Sequence, residues 1–212
     1  MRINKKEKIK HILYMHIQNN KKEYFIIAIM FIIGIFFGVL FVNNINQENA
    51  EQISTYLNEN ITKMKEVKTI DYIEMLKTSM LGNAKLVLIM WVLATTIIGI
   101  PILFGVVVYK GFCLGYTIGV SILTLGTFKG IIFILTSLLL QNIIFIPTII
   151  ALGVSGFKVY KSIVKDRRKE NLKIEIVRHT IFSLIMLSLL MISSIIEVFV
   201  SSNILMLITK YL

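Results

Sequence analysis

Long apolar runs alternate with short charged segments along this chain. Five runs contain no charged residue: 24–42, 86–109, 111–128, 130–157 and 181–196. Four of them are at least 18 residues long, and the last has 16 residues before Glu197. An α-helix of roughly 17–25 apolar residues spans the hydrocarbon core of a bilayer. The pattern therefore predicts an all-α, polytopic membrane helix bundle with five transmembrane helices.

The 43–85 segment between the first two runs has a different periodicity. Its apolar residues recur mostly three or four positions apart, which is typical of an amphipathic helix. About 40 residues are too few to bury a core of their own comfortably. The apolar stripe then lies on the membrane surface, on the transmembrane helices or on another protein. The candidates for docking a partner are Ile53, Leu57, Ile61, Met64, Ile70 and Ile73.

These patterns divide the chain into six segments. They are a basic arm (1–23), the first transmembrane helix (24–42), the amphipathic segment (43–85), a core of three transmembrane helices (86–157), a basic loop (158–178) and the last transmembrane helix with the C-terminus (179–212). The first run is longer than the apolar region of a secretory signal peptide, which has about 7–15 residues. We therefore expect it to be a retained anchor.

The placement of charge predicts an orientation. The first 23 residues carry seven Lys/Arg and two Glu, and the 158–178 loop carries eight Lys/Arg and three acidic residues. The amphipathic segment has more acidic than basic residues. Because basic loops stay in the cytoplasm, we expect the N-terminus and the 158–178 loop to be cytoplasmic. The amphipathic segment and the C-terminus are then extracytoplasmic.

The net charge of +11 raises the possibility of a nucleic-acid partner. The charge is concentrated in two clusters beside the membrane, however, where each Lys or Arg near anionic lipid contributes about 1 kcal/mol. The pattern favours contact with the lipid surface and no nucleic-acid binding. The basic residues expected to face lipid are Lys21, Lys22, Lys165, Arg167, Arg168 and Lys169.

Glycines recur on one face of the third run. Gly111, Gly115 and Gly119 are four residues apart, with Thr117 beside them. A glycine in a helix interior is about 1 kcal/mol less favourable than alanine, but small residues let transmembrane helices approach closely. The spacing predicts a helix-packing groove within the chain, and the alternative is packing between copies in a homo-oligomer.

A few polar residues and prolines interrupt the apolar runs. Pro101 and Pro147 predict kinks in the second and fourth helices. Gln141 and Asn142 lie inside the fourth run, where an amide needs a hydrogen-bonding partner, either in an interhelical contact or along a pore. Glu197 follows the last run, and its position fits either the membrane interface or a buried partner.

The sequence offers no recognisable catalytic or metal-binding motif. It contains no H-E-x-x-H helix and no phosphate-binding glycine loop, and no aspartate lies in any apolar run. The histidines fall in or beside the basic segments, so no histidine is expected at membrane depth to activate a serine. The single cysteine, Cys113, allows no disulfide within the chain. We expect no enzymatic activity, no metal and no cofactor.

Two motifs resemble the stage II sporulation protein M family. They are GFCLGYTIGVSILTLGTFKG (111–130) and LLLQNIIFIPTIIALGVSGFKVYK (138–161). The family has a G-F-x-x-G-x-T-x-G stretch, followed by a polar pair whose Asn precedes a Pro by five residues. The residues that match are Gly111, Phe112, Gly115, Thr117, Gly119, Asn142 and Pro147, with Asn83 at a further recurring position. Gln141 departs from the Pro or His that is frequent before the Asn.

The resemblance implies a role in endospore formation. It implies a scaffold in the mother-cell membrane at the septum, which recruits the peptidoglycan-remodelling stage II sporulation proteins P and D during engulfment. The docking surface would be the amphipathic segment together with the extracytoplasmic end of the last helix. Broader relatives look permease-like, so the alternative is a transporter subunit that works with a separate ATPase. Gln141, Asn142 and Glu197 would then line a wet path.

Overall fold

The computed structural model describes residues 17–18, 20–66, 71–96, 98–165 and 169–204 of the chain. Within these residues every regular element is a helix. The helices are α1 (Lys21–Asn43), α2 (Gln47–Glu66), α3 (Tyr72–Ala94), α4 (Gly99–Leu125), α5 (Thr127–Ser137), α6 (Leu139–Lys165) and α7 (Lys169–Ile196). A π-helical turn, Glu197–Ser201, continues α7.

Five helices in the described part of the chain are long and apolar enough to cross a membrane. They are Lys21–Asn43, Tyr72–Ala94, Gly99–Leu125, Gln141–Val164 and Leu172–Ile204. The predicted all-α, multi-pass architecture is thereby confirmed. The 11-residue α5 is too short to cross. Gly126, with φ 77°, reverses the chain between α4 and α5, so that α5 lies against the last turns of α4.

The turn between the second and third transmembrane helices lies elsewhere than the sequence predicted. The predicted runs 86–109 and 111–128 meet at Lys110, whereas the structure turns between Ala94 and Gly99 and continues α4 through Lys110 to Leu125. The preceding helix, α3, correspondingly begins at Tyr72. Residues 72–85 of the predicted extracytoplasmic segment are therefore the first half of a membrane-spanning helix.

Helix α3 ends within an apolar stretch of sequence, where no charged residue marks the helix end. Local polar contacts end it instead. The hydroxyl groups of Thr95 and Thr96 donate to the carbonyls of Val92 and Leu93 at the helix terminus. Pro101 is the third residue of α4, where its missing N–H costs little because the first four N–H groups of a helix have no partner within it. Pro101 therefore marks the start of a helix instead of a kink.

The most extensive contact in the bundle joins α1 and α4, which run parallel. Gly34 and Gly38 of α1 interlock with Gly111 and Gly115 of α4, so the two backbones touch. A Cβ at Gly115 would overlap the carbonyl oxygen of Ile35. This close approach replaces side-chain packing with backbone contact, which is the usual role of small residues between membrane helices.

The rest of the glycine motif also packs within the chain. Gly119 faces the side chain of Val42 at the end of α1. The hydroxyl of Thr117 donates to the carbonyl of Cys113 at 2.9 Å, so it is satisfied inside α4. The sequence analysis identified the α4 side of this interface and missed the α1 side, because Gly34 and Gly38 stand among large residues.

Polar contacts show that α3 and α7 run antiparallel. Asn83 reaches the carbonyl of Leu190, whereas Trp91, two turns later in α3, donates to Thr180, earlier in α7. The helix directions bring α2, the Gly126 turn and the π-helical turn to one end of the bundle, which we call the α2 end. The 95–98 turn lies at the opposite end.

The core lies where α1, α3, α4, α6 and α7 meet. Its fully buried apolar residues are Ile27, Met90, Ala94, Leu103, Val107, Ile149, Leu152, Val154 and Leu190. Large apolar side chains also cover the outward faces, as in Phe25, Ile32 and Phe36 of α1. A helix that is apolar both on its core-facing side and on its outward side is typical of a helix surrounded by lipid.

Gly115→Ala tests the α1–α4 contact. The added methyl group overlaps the Ile35 carbonyl oxygen, so we expect a loss of about 1–3 kcal/mol in the free energy of unfolding. Gly105→Ala in the same helix is the matched control, because no atom lies within 4 Å of its new Cβ. Thermal unfolding in detergent measures both, and equal midpoints for the two variants would contradict the contact.

Candidate functional site

Four polar side chains connect α3 to α7 near the α2 end. Ser79 Oγ donates to Glu197 Oε2 at 2.6 Å and also lies 2.9 Å from Ser194 Oγ. Asn83 Nδ2 donates to Ser194 Oγ at 2.8 Å. We call these residues the α3–α7 polar cluster. Because Ser194 is fully buried, the cluster satisfies groups that apolar surroundings would otherwise leave without partners.

Glu197 contacts α3 and also borders an open cleft. It is half-buried and bonded to Ser79, and it begins the π-helical turn. It also lines an open cleft of about 430 Å³, together with Asp71 and Glu74. Asp71 is fixed as the N-cap of α3, because its carboxylate accepts from the backbone N–H of Glu74 at 3.0 Å. The cleft therefore carries three carboxylates at the α2 end.

The start of α3 and the end of α7 are joined beside this cleft. Tyr72 OH donates to Asn203 Oδ1 at 2.8 Å, and the Tyr72 ring stacks on Phe199 with ring centres 5.5 Å apart. These residues are more than 120 positions apart in the sequence, so the α2 end is a composite surface. Both segments that the resemblance implied for docking contribute to it.

The predicted docking stripe is not one continuous surface. Ile61 is buried, with 6% exposure, and α2 packs on the end of α4, where Thr124 donates to Ser54 at 3.2 Å. Ile53 and Leu57 are half-buried. Ile73 belongs to α3 and is 82% exposed. The Met64 side chain and all of Ile70 lie outside the described residues.

Gln141, Asn142 and Pro147 all lie in the first third of α6. The backbone carbonyl of Gln141 accepts from Ser193 at 3.0 Å. The Asn142 side chain donates to the carbonyl of Leu138 at 2.7 Å, across the break between α5 and α6, and faces an apolar groove of about 310 Å³. Pro147 lies inside α6 with an exposed ring. Asn142 and Glu197 line separate clefts in the described part of the chain.

The basic residues at the opposite end are only partly described. Lys21 and Lys22 are exposed. Arg167 and Arg168, and the side chains of Lys165 and Lys169, lie outside the described residues. An unpredicted ion pair joins Lys161 of α6 to Glu23 of α1, and the same ammonium group lies 4.9 Å from the centre of the Phe157 ring.

A buried histidine at membrane depth corrects the sequence analysis. His179 is 1% exposed, and Ser155 Oγ lies 2.8 Å from its Nδ1. His179 Nε2 and Ser183 Oγ have no protein partner among the described residues. Ser155 and His179 are both buried, and the pair forms a polar contact between α6 and α7.

Two lysines that the sequence suggests as helix boundaries lie inside helices instead. Lys110 is in the middle of α4, half-buried, with its ammonium 5.9 Å from the centre of the Phe145 ring. Lys85 is in the middle of α3 and exposed. A lysine at the bilayer centre costs about 2.5–3.5 kcal/mol on insertion scales. The sequence analysis placed both lysines at the ends of apolar runs, because a charged side chain is unfavourable in the membrane interior.

Ser194→Ala tests the α3–α7 polar cluster. The variant leaves Asn83 and Ser79 short of a partner, so we expect a loss of about 0.6–1.7 kcal/mol in the free energy of unfolding. Ser188→Ala in the same helix is the control, because Ser188 is exposed and, among the described residues, its hydroxyl bonds only to the Leu184 carbonyl one turn earlier. Denaturant unfolding in detergent compares them, and equal losses would count against the cluster.

Comparison with known proteins gives one match. The family model described as stage II sporulation protein M matches residues 27–202, which include nearly all of the five membrane-spanning helices. No curated protein and no solved structure matches the chain significantly. The chain therefore belongs to the stage II sporulation protein M family, and this membership implies a role in sporulation.

Proposed function

We propose that this protein is a membrane scaffold that anchors and recruits peptidoglycan-remodelling partners during forespore engulfment. The proposed partners are stage II sporulation proteins P and D, and the proposed location is the mother-cell membrane at the septum. In this proposal the α2 end is extracytoplasmic, as the distribution of basic residues favours. Wall hydrolysis then belongs to the partners.

The composite surface at the α2 end is the observation that supports this proposal. Helix α2 packs on α4, and the first turn of α3 is held to the end of α7 by the Tyr72–Asn203 contact. The surface exposes Tyr56 and Ile73, which are 71% and 82% exposed. Exposed aromatic and apolar residues on a fixed support are typical of protein docking sites.

The transporter alternative receives no support from the geometry. A wet path needs its polar residues along one cavity, but Asn142 faces an apolar groove and Glu197 lies in a cleft at the α2 end. Gln141 contributes its backbone carbonyl to an interhelical contact. These residues act separately, so the scaffold remains the better proposal.

Ile73→Asp tests recruitment through the α2 end. We expect recovery of proteins P and D with the tagged protein from sporulating cells to fall about tenfold or more, because the variant places a charge in the apolar part of the docking surface. The matched control is Ile98→Asp at the opposite end, since Ile98 is 79% exposed and Ile73 is 82% exposed. Equal recovery with both variants, at normal abundance, would refute docking at the α2 end.

Thiol labelling tests the proposed orientation. Tyr56→Cys and Ile98→Cys place an exposed thiol at opposite ends of the bundle, in a chain whose only native cysteine is the half-buried Cys113. We expect a membrane-impermeant maleimide to label Tyr56→Cys in intact cells and Ile98→Cys only after permeabilisation. The reverse pattern would place the α2 end in the cytoplasm and exclude contact with peptidoglycan.

A further inference from the structure

Lys85 lies near the middle of the membrane-spanning part of the bundle. It is about 14 Å from Ala94 and about 20 Å from Tyr72 along α3, at 1.5 Å per residue. Its neighbour Asn83 contacts the carbonyl of Leu190, which is near the middle of the span Leu172–Ile204. Lys85 therefore lies near the middle of α3 and level with the middle of the neighbouring span in α7.

Lys85 faces outward at this depth. Asn83 points toward α7, and two residues further along a helix is a rotation of about 200°, so Lys85 is on the other side of α3. The residues around it, Leu81, Leu88 and Ile89, are at least half exposed. A lysine side chain reaches roughly 6 Å, which is less than the distance from Lys85 to either end of α3.

No carboxylate of the described chain neutralises Lys85. The ion pairs found among the described residues involve Lys161 and Arg178. On α3 itself, Glu74 is about 16 Å away along the helix axis, and Glu197 is bonded to Ser79, about 9 Å toward the α2 end and on another face. Lys110, at similar depth, differs because its ammonium contacts the Phe145 ring.

We propose that Lys85 is the docking point for a transmembrane helix of another protein, one that carries an aspartate or glutamate at mid-depth. An opposite charge is the partner that an ammonium needs in hydrocarbon. Gly82, one turn away, lies in open space, because a Cβ added there would have no atom within 4 Å, so a second helix can approach α3 closely.

A second copy of this chain does not meet the same requirement. A twofold contact through this face of α3 brings Lys85 toward its own counterpart, which is a repulsive pair. The acidic residues of the described spans lie toward the ends of the bundle, as Glu23, Glu74, Glu175 and Glu197 show. The complementary charge at mid-depth therefore comes from a different protein. This contact is separate from the surface at the α2 end and does not depend on the proposed function.

Reconstitution with defined peptides tests the charge requirement. The full-length protein is placed in phosphatidylcholine vesicles with a polyleucine transmembrane peptide that has one central aspartate, and energy transfer reports their association. We expect association with the wild type and with Lys85→Arg, and an approximately tenfold loss with Lys85→Met. The control Lys77→Met, on an exposed lysine nearer the α2 end of the same helix, should have no effect. Equal association of a central-leucine peptide would overturn the proposal.

Photo-crosslinking in sporulating cells tests the natural partner. A benzoylphenylalanine at Leu88 of the Lys85 face should form an adduct with a membrane protein that has an acidic residue in its span, and Ile185 on the exposed face of α7 is the control position. The adduct should disappear with Lys85→Asp and return when the partner's acidic residue is changed to lysine. Adducts formed only with lipid or with a second copy, or unchanged by Lys85→Met, would refute the proposal.

Discussion

The backbone contact between α1 and α4 is the constraint on which the rest of the bundle depends. Water drives apolar surfaces together in a soluble protein, but lipid does not, so membrane helices associate through close packing and polar contacts. Gly34 and Gly38 interlock with Gly111 and Gly115, and this contact joins two helices that are far apart in the chain. The remaining helices complete a core around this parallel pair.

Polar contacts hold the second half of the bundle together. The α3–α7 polar cluster and the Ser155–His179 pair are all side-chain hydrogen bonds between spanning helices. In apolar surroundings each such bond fixes a register, because a shift of one turn would leave the groups without partners. The α3–α7 polar cluster connects residues near position 80 to residues near position 195, and so builds the surface at the α2 end from distant segments.

The fold class and the candidate site were predictable to different extents. Five apolar runs predicted the number of spanning helices, since hydrocarbon thickness sets the length of each run. The helix ends were wrong where Lys85 and Lys110 seemed to interrupt hydrophobicity. The structure ends α3 at Ala94 through the side chains of Thr95 and Thr96, which a sum of hydropathies does not detect. Ile61 of the predicted docking stripe is buried, because periodicity identifies the apolar face of α2 but not what covers it.

The sequence by itself determined that this is an all-helical, multi-pass membrane protein, and its glycine and Asn–Pro motifs indicated its family. These properties are local, because hydrophobic length and short motifs act within one segment. Only the tertiary structure decided that Glu197 bonds to Ser79, that Ile61 is buried and that Lys85 is exposed in the middle of α3. Each depends on which helices are neighbours, and neighbours are set by packing between segments that are distant in the chain.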